Sequence, residues 1–352
     1  MNLLYYYFIA VFVTVVCILL TITVFRNFGI LDRPDGVRKI HKGEISLGGG
    51  IAIFLSMTLI LYIIFPEYSP GSFGNHSALG SIWVISSIIL FLGLLDDIRP
   101  MKPAIRLIVQ IVASWLVIVS TDVYVEDLGN LLDLGNIQLG SIGIPVTIFM
   151  VVGVCNAFNM LDGMDGLVGF LLLIPGTFLA VLSSMYGNIG LLYLASIVLS
   201  VFLVFNLGLL GKSKKIFLGD SGSMWLGFIT AWFLICLSQN ESSFNFAPVS
   251  ALWFVLIPLV DALSTFMTRI WSKKSIFRGD RSHLHHILID AGLKKWLILV
   301  IFLLFSAGFS ALGFFFIVYE IPEYYQFYGF LTVWFFFHLL VKQPMAIRDS
   351  RY

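Results

Sequence analysis

Residues 156–167 read NAFNMLDGMDGL, placing Asn156, Asn159, Asp162 and Asp165 within twelve positions of a strongly apolar chain. A helical spacing of three puts Asn159 and Asp162 on one face, while Gly163 and Gly166 let the backbone leave the helix there. Three other acidic segments share this character: Asp96-Asp97 in LGLLDDIRP, Asp220 in KIFLGDSGS, and Asp261 in PLVDALS. Carboxylates gathered beside basic loops suit a hard divalent cation that holds a phosphate. Magnesium takes oxygen ligands, usually one or two carboxylates completed by substrate phosphates, and Asp220 and Asn159 suit that role. A fifth segment, RGDRSHLHHIL at 278–288, adds Arg278, Arg281, His283, His285 and His286. Such a cluster is suited to gripping a diphosphate, with Arg offering bidentate contacts and His available for hydrogen bonding or proton transfer.

Simpler explanations exist for each segment. A single Asp at a membrane interface can cap a helix or pair with a base, and a basic loop can simply face anionic lipid. Acids converging from four segments favour a shared pocket, because ionisable groups at membrane depth are costly. Zinc at the histidines would need further ligands at fixed spacing, and no Cys lies near. GDSGS at 219–223, with His41, Asp97 and Ser221 in chain order, matches the nucleophile segment of soluble β-barrel proteases, but here it opens an apolar span. Asp162-Gly-Met-Asp165-Gly matches half of a calcium loop and lacks its closing Glu.

The elements that position these groups follow from composition. Of 352 residues, 59% are hydrophobic and 12% charged, with a mean hydropathy of +0.97, far from a soluble domain. The apolar runs are long enough for spanning helices and too continuous for barrel strands. The expected fold is all-α, a polytopic integral membrane protein forming one unit over 1–352. About eleven spans are expected, or ten on a tighter count, near 3–25, 47–65, 79–95, 104–120, 142–160, 168–185, 190–210, 221–238, 248–270, 296–318 and 327–341. With alternate loops assigned to opposite sides, all 21 Lys and Arg fall on one side, and the other holds eight acids and no base. The positive-inside rule makes the basic side cytoplasmic, with the N-terminus outside and the C-terminus inside. The motif loops then open on the cytoplasm, and only Asp261 lies clearly within a span. Cys17, Cys155 and Cys236 sit in apolar runs and read as packing residues. The first run lacks the basic start of a signal peptide and reads as a retained helix.

DD at 96–97, NAFNMLDGMDGL, FLGDSGS at 217–223 and DRSHLHHIL at 280–288, in this order between apolar spans, resemble the polyprenyl-phosphate N-acetylhexosamine-1-phosphate transferases. The resemblance extends from about residue 29 to 292. It implies a bacterial inner-membrane enzyme, dependent on magnesium or manganese and active at the cytoplasmic face. The implied reaction joins the sugar 1-phosphate of UDP-N-acetylglucosamine to undecaprenyl phosphate and releases UMP. That would be the first membrane step of an envelope polysaccharide such as O-antigen or common antigen. Carried across, Asp220 and Asn159 resemble the metal ligands and Asp96-Asp97 the carboxylates beside the lipid phosphate. Phe217 resembles a uracil-contacting aromatic, and His283, His285 and His286 with Arg281 a sugar-diphosphate-binding segment. Asp162, Asp165 and His283 are counted with Asp96 and Asp97 as catalytic candidates, and Asn206 with the substrate-binding residues. The implied partners are the two substrates and the bilayer, with no nucleic acid; a homodimer is one assembly open to it. Two positions depart from the pattern: Pro100 replaces the third acid of DDxxD, and Ser46 stands where proline is common. The alternatives are a phospho-MurNAc-pentapeptide transferase of the same superfamily, which carries a different His loop, and an ion-coupled transporter, whose site would lie near the midplane.

Overall fold

The computed structural model describes residues 3–33, 43–64, 77–185, 190–239, 246–273 and 282–342. Arg278 and Arg281 lie outside these residues. The helices are α1 (Leu3–Asn27), α2 (Gly49–Ile64), α3 (Ser77–Ile98), α4 (Pro103–Thr121), α5 (Gly143–Leu161), α6 (Leu167–Met185), α7 (Leu191–Asn206), α8 (Gly219–Gln239), α9 (Pro248–Phe254), α10 (Leu256–Trp271), α11 (Leu284–Asp290), α12 (Lys295–Val318) and α13 (Glu323–Phe337). Each expected span thus carries helix, but the count of eleven is not reached. Among the described residues seven helices are long and apolar enough to cross a membrane, and α9 with α10 makes an eighth if taken together. The described residues of α2 and α7 number 16 each, against the roughly 20 that cross a bilayer core.

Residues 248–270 are not one continuous helix. The chain bends by 89° between α9 and α10. Proline explains where: Pro258 has no N–H to donate to the Phe254 carbonyl, so α9 cannot propagate through it. Val255 takes up the bend at φ −122° and ψ 21°. The all-α expectation also needs one small correction, a two-residue antiparallel ribbon of β1 (Leu31–Asp32) and β2 (Ile45–Ser46), which bridges onward from Ser46 to Ile216.

The core is built around α8, which packs most extensively on α3 and α5 and also touches α2 and α9. Its Trp225, Phe228 and Trp232 are fully buried. Trp225 donates its indole N–H to Ser86 on α3 at 2.9 Å and meets Phe54 and Trp83 edge-on. The α3–α8 approach needs a glycine at 93, where a Cβ would collide with the Ser221 backbone. Outside this core, α1 packs on α2 and α7, and α6 on α7 and α12. Side chains such as Phe8, Phe12, Val119, Phe149 and Leu304 are exposed around the bundle, as a lipid-facing surface requires. The three cysteines are buried and unbridged.

Candidate functional site at one end of the bundle

The connections after α3, α5 and α7 meet at one end of the bundle, where hydrogen bonds join them and His283 to His286 lie beside them. Asp97, at the last turn of α3, accepts the backbone N–H groups of Asp220 at 2.8 Å and Ser221 at 3.1 Å. These are orphan donors of the first turn of α8, so Asp97 caps that helix from another element. Asp96 turns elsewhere: it pairs with Arg106 at 2.7 Å and accepts the Met101 N–H at 2.6 Å, closing the turn that contains Pro100. Asp96 and Arg106 are both within electrostatic reach of Asp220.

From α5, Asn159 donates its amide to Asp220 at 2.7 Å and to Ser223 at 3.0 Å. That leaves its carbonyl oxygen as the atom able to ligate a cation. Asn156 is used differently, donating to Gln110 of α4 at 2.7 Å. Asp162 ends α5, and Gly166 turns the chain into α6 with φ +76°. Burial, and then the charges of Asp220, Asp97 and Asp165, push the Asp162 carboxyl well above the usual carboxylate range. Asp165 faces Lys215 at 2.6 Å, and the Lys215 ammonium lies 5.1 Å from the centre of the Phe217 ring.

Phe217 is held on both sides by backbone. Its N–H donates to Ser46 at 2.8 Å, and its carbonyl accepts the Gly49 N–H at 2.9 Å. Ser46 contributes only its carbonyl to that bond, which a proline would equally supply. Asn206 is buried and spends both ends of its amide on backbone. It accepts the Gly166 N–H at 2.6 Å and donates to the Ile216 carbonyl at 2.9 Å. It thus ties the 162–166 loop to the Phe217 segment.

The histidine segment closes the site from the α10 side. His285 is fully buried and its Nε2 rests on Gly163, where a Cβ would strike it. The His285 ring lies 4.0 Å from that of His286 and stacks at 6.3 Å, 9° from parallel, on that of His283. His283 in turn pairs with Asp261. The structure therefore brings together Asp96, Asp97, Asn159, Asp162, Asp165, Phe217, Asp220, His283, His285 and His286.

Sequence reasoning missed Lys215, Arg106 and the pairing of Asp261. A signal existed for the first, since Lys215 stands two residues before Phe217; Arg106 follows Asp96 across a short turn that helix patterning does not resolve.

A divalent cation fits the donors present. Among the described residues no three Asp, Glu, His or Cys side chains form a complete metal cage. Magnesium does not need one, because substrate phosphates and water complete its shell. The carboxylates of Asp97, Asp162 and Asp220 crowd one another, and a cation relieves that repulsion.

Comparison with known proteins agrees with this arrangement. The model of a family described as Glycosyl transferase family 4 matches residues 79–238. The undecaprenyl-phosphate alpha-N-acetylglucosaminyl 1-phosphate transferase of Haemophilus influenzae is 32% identical over 338 residues, covering 94% of this chain and 92% of its own. The Yersinia pestis protein of the same name is 31% identical, covering 91% and 86%. That of Escherichia coli strain K12 is 29% identical, covering 92% and 86%. With relatives of this similarity aligned along nearly its whole length, and with the family's motifs gathered at one end of its bundle, the chain belongs to glycosyl transferase family 4.

Proposed function

We propose that the protein transfers N-acetylglucosamine 1-phosphate from UDP-N-acetylglucosamine to undecaprenyl phosphate, giving undecaprenyl-diphospho-N-acetylglucosamine and UMP. The observation that carries this reading is the meeting of Asp97, Asn159, Asp162, Asp220 and the histidine segment at one end of a membrane bundle, in a chain related to enzymes of that name. The positive-inside distribution supports a cytoplasmic position for this end in a bacterial inner membrane. The product suits the first membrane step of an envelope polysaccharide.

In the reaction, a lipid phosphate oxygen bonds to the phosphorus that carries the sugar, and the bond from that phosphorus to the UMP oxygen breaks. Both reactants are anionic, so repulsion is the first obstacle and positioning the second. Asp220 and the Asn159 carbonyl would hold magnesium or manganese, which supplies charge neutralisation for the diphosphate when bound. Asp97 holds the first turn of α8 in place and so sets the direction of Asp220. Phe217, fixed by backbone on both sides, offers a flat apolar face to the uracil. Lys215 stands between that ring and Asp165 and adds positive charge near the diphosphate. His283 and the segment behind it face the sugar side. Undecaprenyl phosphate is ionised near neutral pH, so no strong base is needed; Asp162, whose carboxyl holds its proton unusually tightly, is suited to orient the attacking oxygen.

The test is product mass. Purified protein in lipid nanodiscs is given undecaprenyl phosphate with UDP-N-acetylglucosamine or UDP-MurNAc-pentapeptide. The expected product is the N-acetylglucosamine diphospholipid, with little or none from the muramyl nucleotide. Comparable rates on both, or preference for the muramyl one, would transfer the assignment to the competing activity.

A further inference from the structure

One buried acid lies apart from the crowded carboxylates and is fully engaged. Asp261 stands on α10, six residues past the bend at Val255, and is 1% exposed. A carboxylate so buried persists in ionised form only when charge or hydrogen bonds compensate it. Both of its oxygens serve one short segment of chain. Oδ2 lies 2.7 Å from Nδ1 of His283, and Oδ1 accepts the Leu284 N–H at 2.9 Å. Leu284 opens α11, and His283 occupies the capping position in extended conformation without capping the helix through its own side chain. Asp261 therefore provides that cap from a different helix. It fixes the histidine ring and the start of the helix behind it together.

The ring chemistry follows. A carboxylate only accepts, so the Nδ1 facing it carries the hydrogen, whether the imidazole is neutral or protonated. Nε2 is then the nitrogen left to meet substrate, and among the described residues it has no hydrogen-bond partner. From His283 the stacked His285 ring leads directly to Gly163, next to Asp162. A shift of Asp261 would thus be felt at both His283 and the carboxylate loop.

We propose that Asp261 is a positioning residue for transfer: it holds His283 with Nδ1–H turned to α10 and Nε2 turned to the sugar diphosphate, and it docks α11 against the 162–166 loop. The proposal deepens the function proposed above and rests on its reading of the histidine segment. It also gives the broken span a purpose, since the bend at Val255 directs α10 along the path that brings Asp261 under the histidines.

The test combines a spectrum with kinetics. Protein labelled with 15N-histidine is examined by NMR in nanodiscs, with His283 assigned by its loss in His283→Gln. The wild type is expected to show a protonated Nδ1. In Asp261→Asn the amide N–H faces Nδ1 and moves the proton to Nε2. Turnover of Asp261→Asn is expected to fall on the order of 10–100-fold, within the range of a misdirected acid–base group, with KM for UDP-N-acetylglucosamine little changed. The double variant with His283→Gln is expected to be no slower than His283→Gln alone. A bare Nδ1 in the wild type overturns the proposal without any Asp261 variant having to fold. So does wild-type turnover in Asp261→Asn, or losses that multiply in the double variant. The spectrum needs no turnover, so failure of the wild type to make any product would count against the proposed function while the tautomer still decided this inference.

Discussion

At the end of the bundle formed by residues 122–142, every oxygen of Asp127 has a donor. Oδ1 accepts the Gly129 N–H at 2.7 Å, and Oδ2 accepts the side-chain amides of Asn136 at 2.8 Å and Gln138 at 2.9 Å. Gln239 on α8 accepts the N–H groups of Glu126 and Asp127, and Glu323 accepts that of Asn130. At the opposite end, burial and then the charges of Asp220, Asp97 and Asp165 raise the proton affinity of Asp162. Acids that accept from amides organise a loop. Acids that face acids oppose folding, and persist where something other than stability selects them. The same residue type thus organises a loop at one end, while its crowding at the other supports the chemical role proposed above.

The contrast is broken most forcefully by removing a carboxylate from each end. Asp220→Ala is expected to lose transferase turnover on the order of 100-fold or more, by loss of a ligand and of the electrostatic focus of the site. Circular dichroism and thermal melting would be expected to show a folded protein. Turnover within a few-fold of wild type would remove Asp220 from the chemistry. Next in size is Gly163→Ala. The added methyl meets the His285 ring, and a misplacement of the histidine segment by less than an ångström is expected to cost about tenfold in turnover. An unchanged rate would mean that the His285 contact does not position the site.

Stability sharpens the comparison in the opposite direction. Asp162→Asn is expected to raise the melting temperature at pH 7.5 in metal-free buffer, because it removes a carboxyl whose ionisation the folded site disfavours. The sign follows from linkage: a carboxyl whose folded-state pKa is raised is charged and unfavourable above that pKa, and becomes neutral as pH falls through it. The advantage of Asn is therefore expected to fade on acidification. A lower melting temperature at neutral pH would show that Asp162 is structurally compensated. Asp127→Ala at the other end removes the acceptor of three hydrogen bonds, two from exposed amides, and is expected to cost about 0.5–1.5 kcal/mol in denaturant or thermal unfolding. Its effect on turnover is the smallest expected, no more than about twofold below the unfolding temperature.

Much of this was legible in the residues because helix length and charge placement act locally. Apolar runs gave helices at every expected position, and alternation of loops put the four motifs at one end. The bend at Val255 was hidden because hydropathy does not register what Pro258 takes away, and the run is apolar on both sides of that proline. The backbone bonds of Asn206 to Gly166 and Ile216 were not legible by type, since an amide serves backbone and ligand alike. Asp261 and His283 are 22 residues apart in sequence, and their 2.7 Å contact is a product of packing.

The most direct measurement of whether the crowded carboxylates form a cation-dependent site is calorimetric binding of UDP-N-acetylglucosamine to purified protein with magnesium and with chelator, in wild type and Asp220→Asn. Wild type is expected to bind much more tightly with magnesium, and Asp220→Asn to bind weakly and with little response to the metal. Equal binding by wild type in magnesium and in chelator would contradict the role given to these acids.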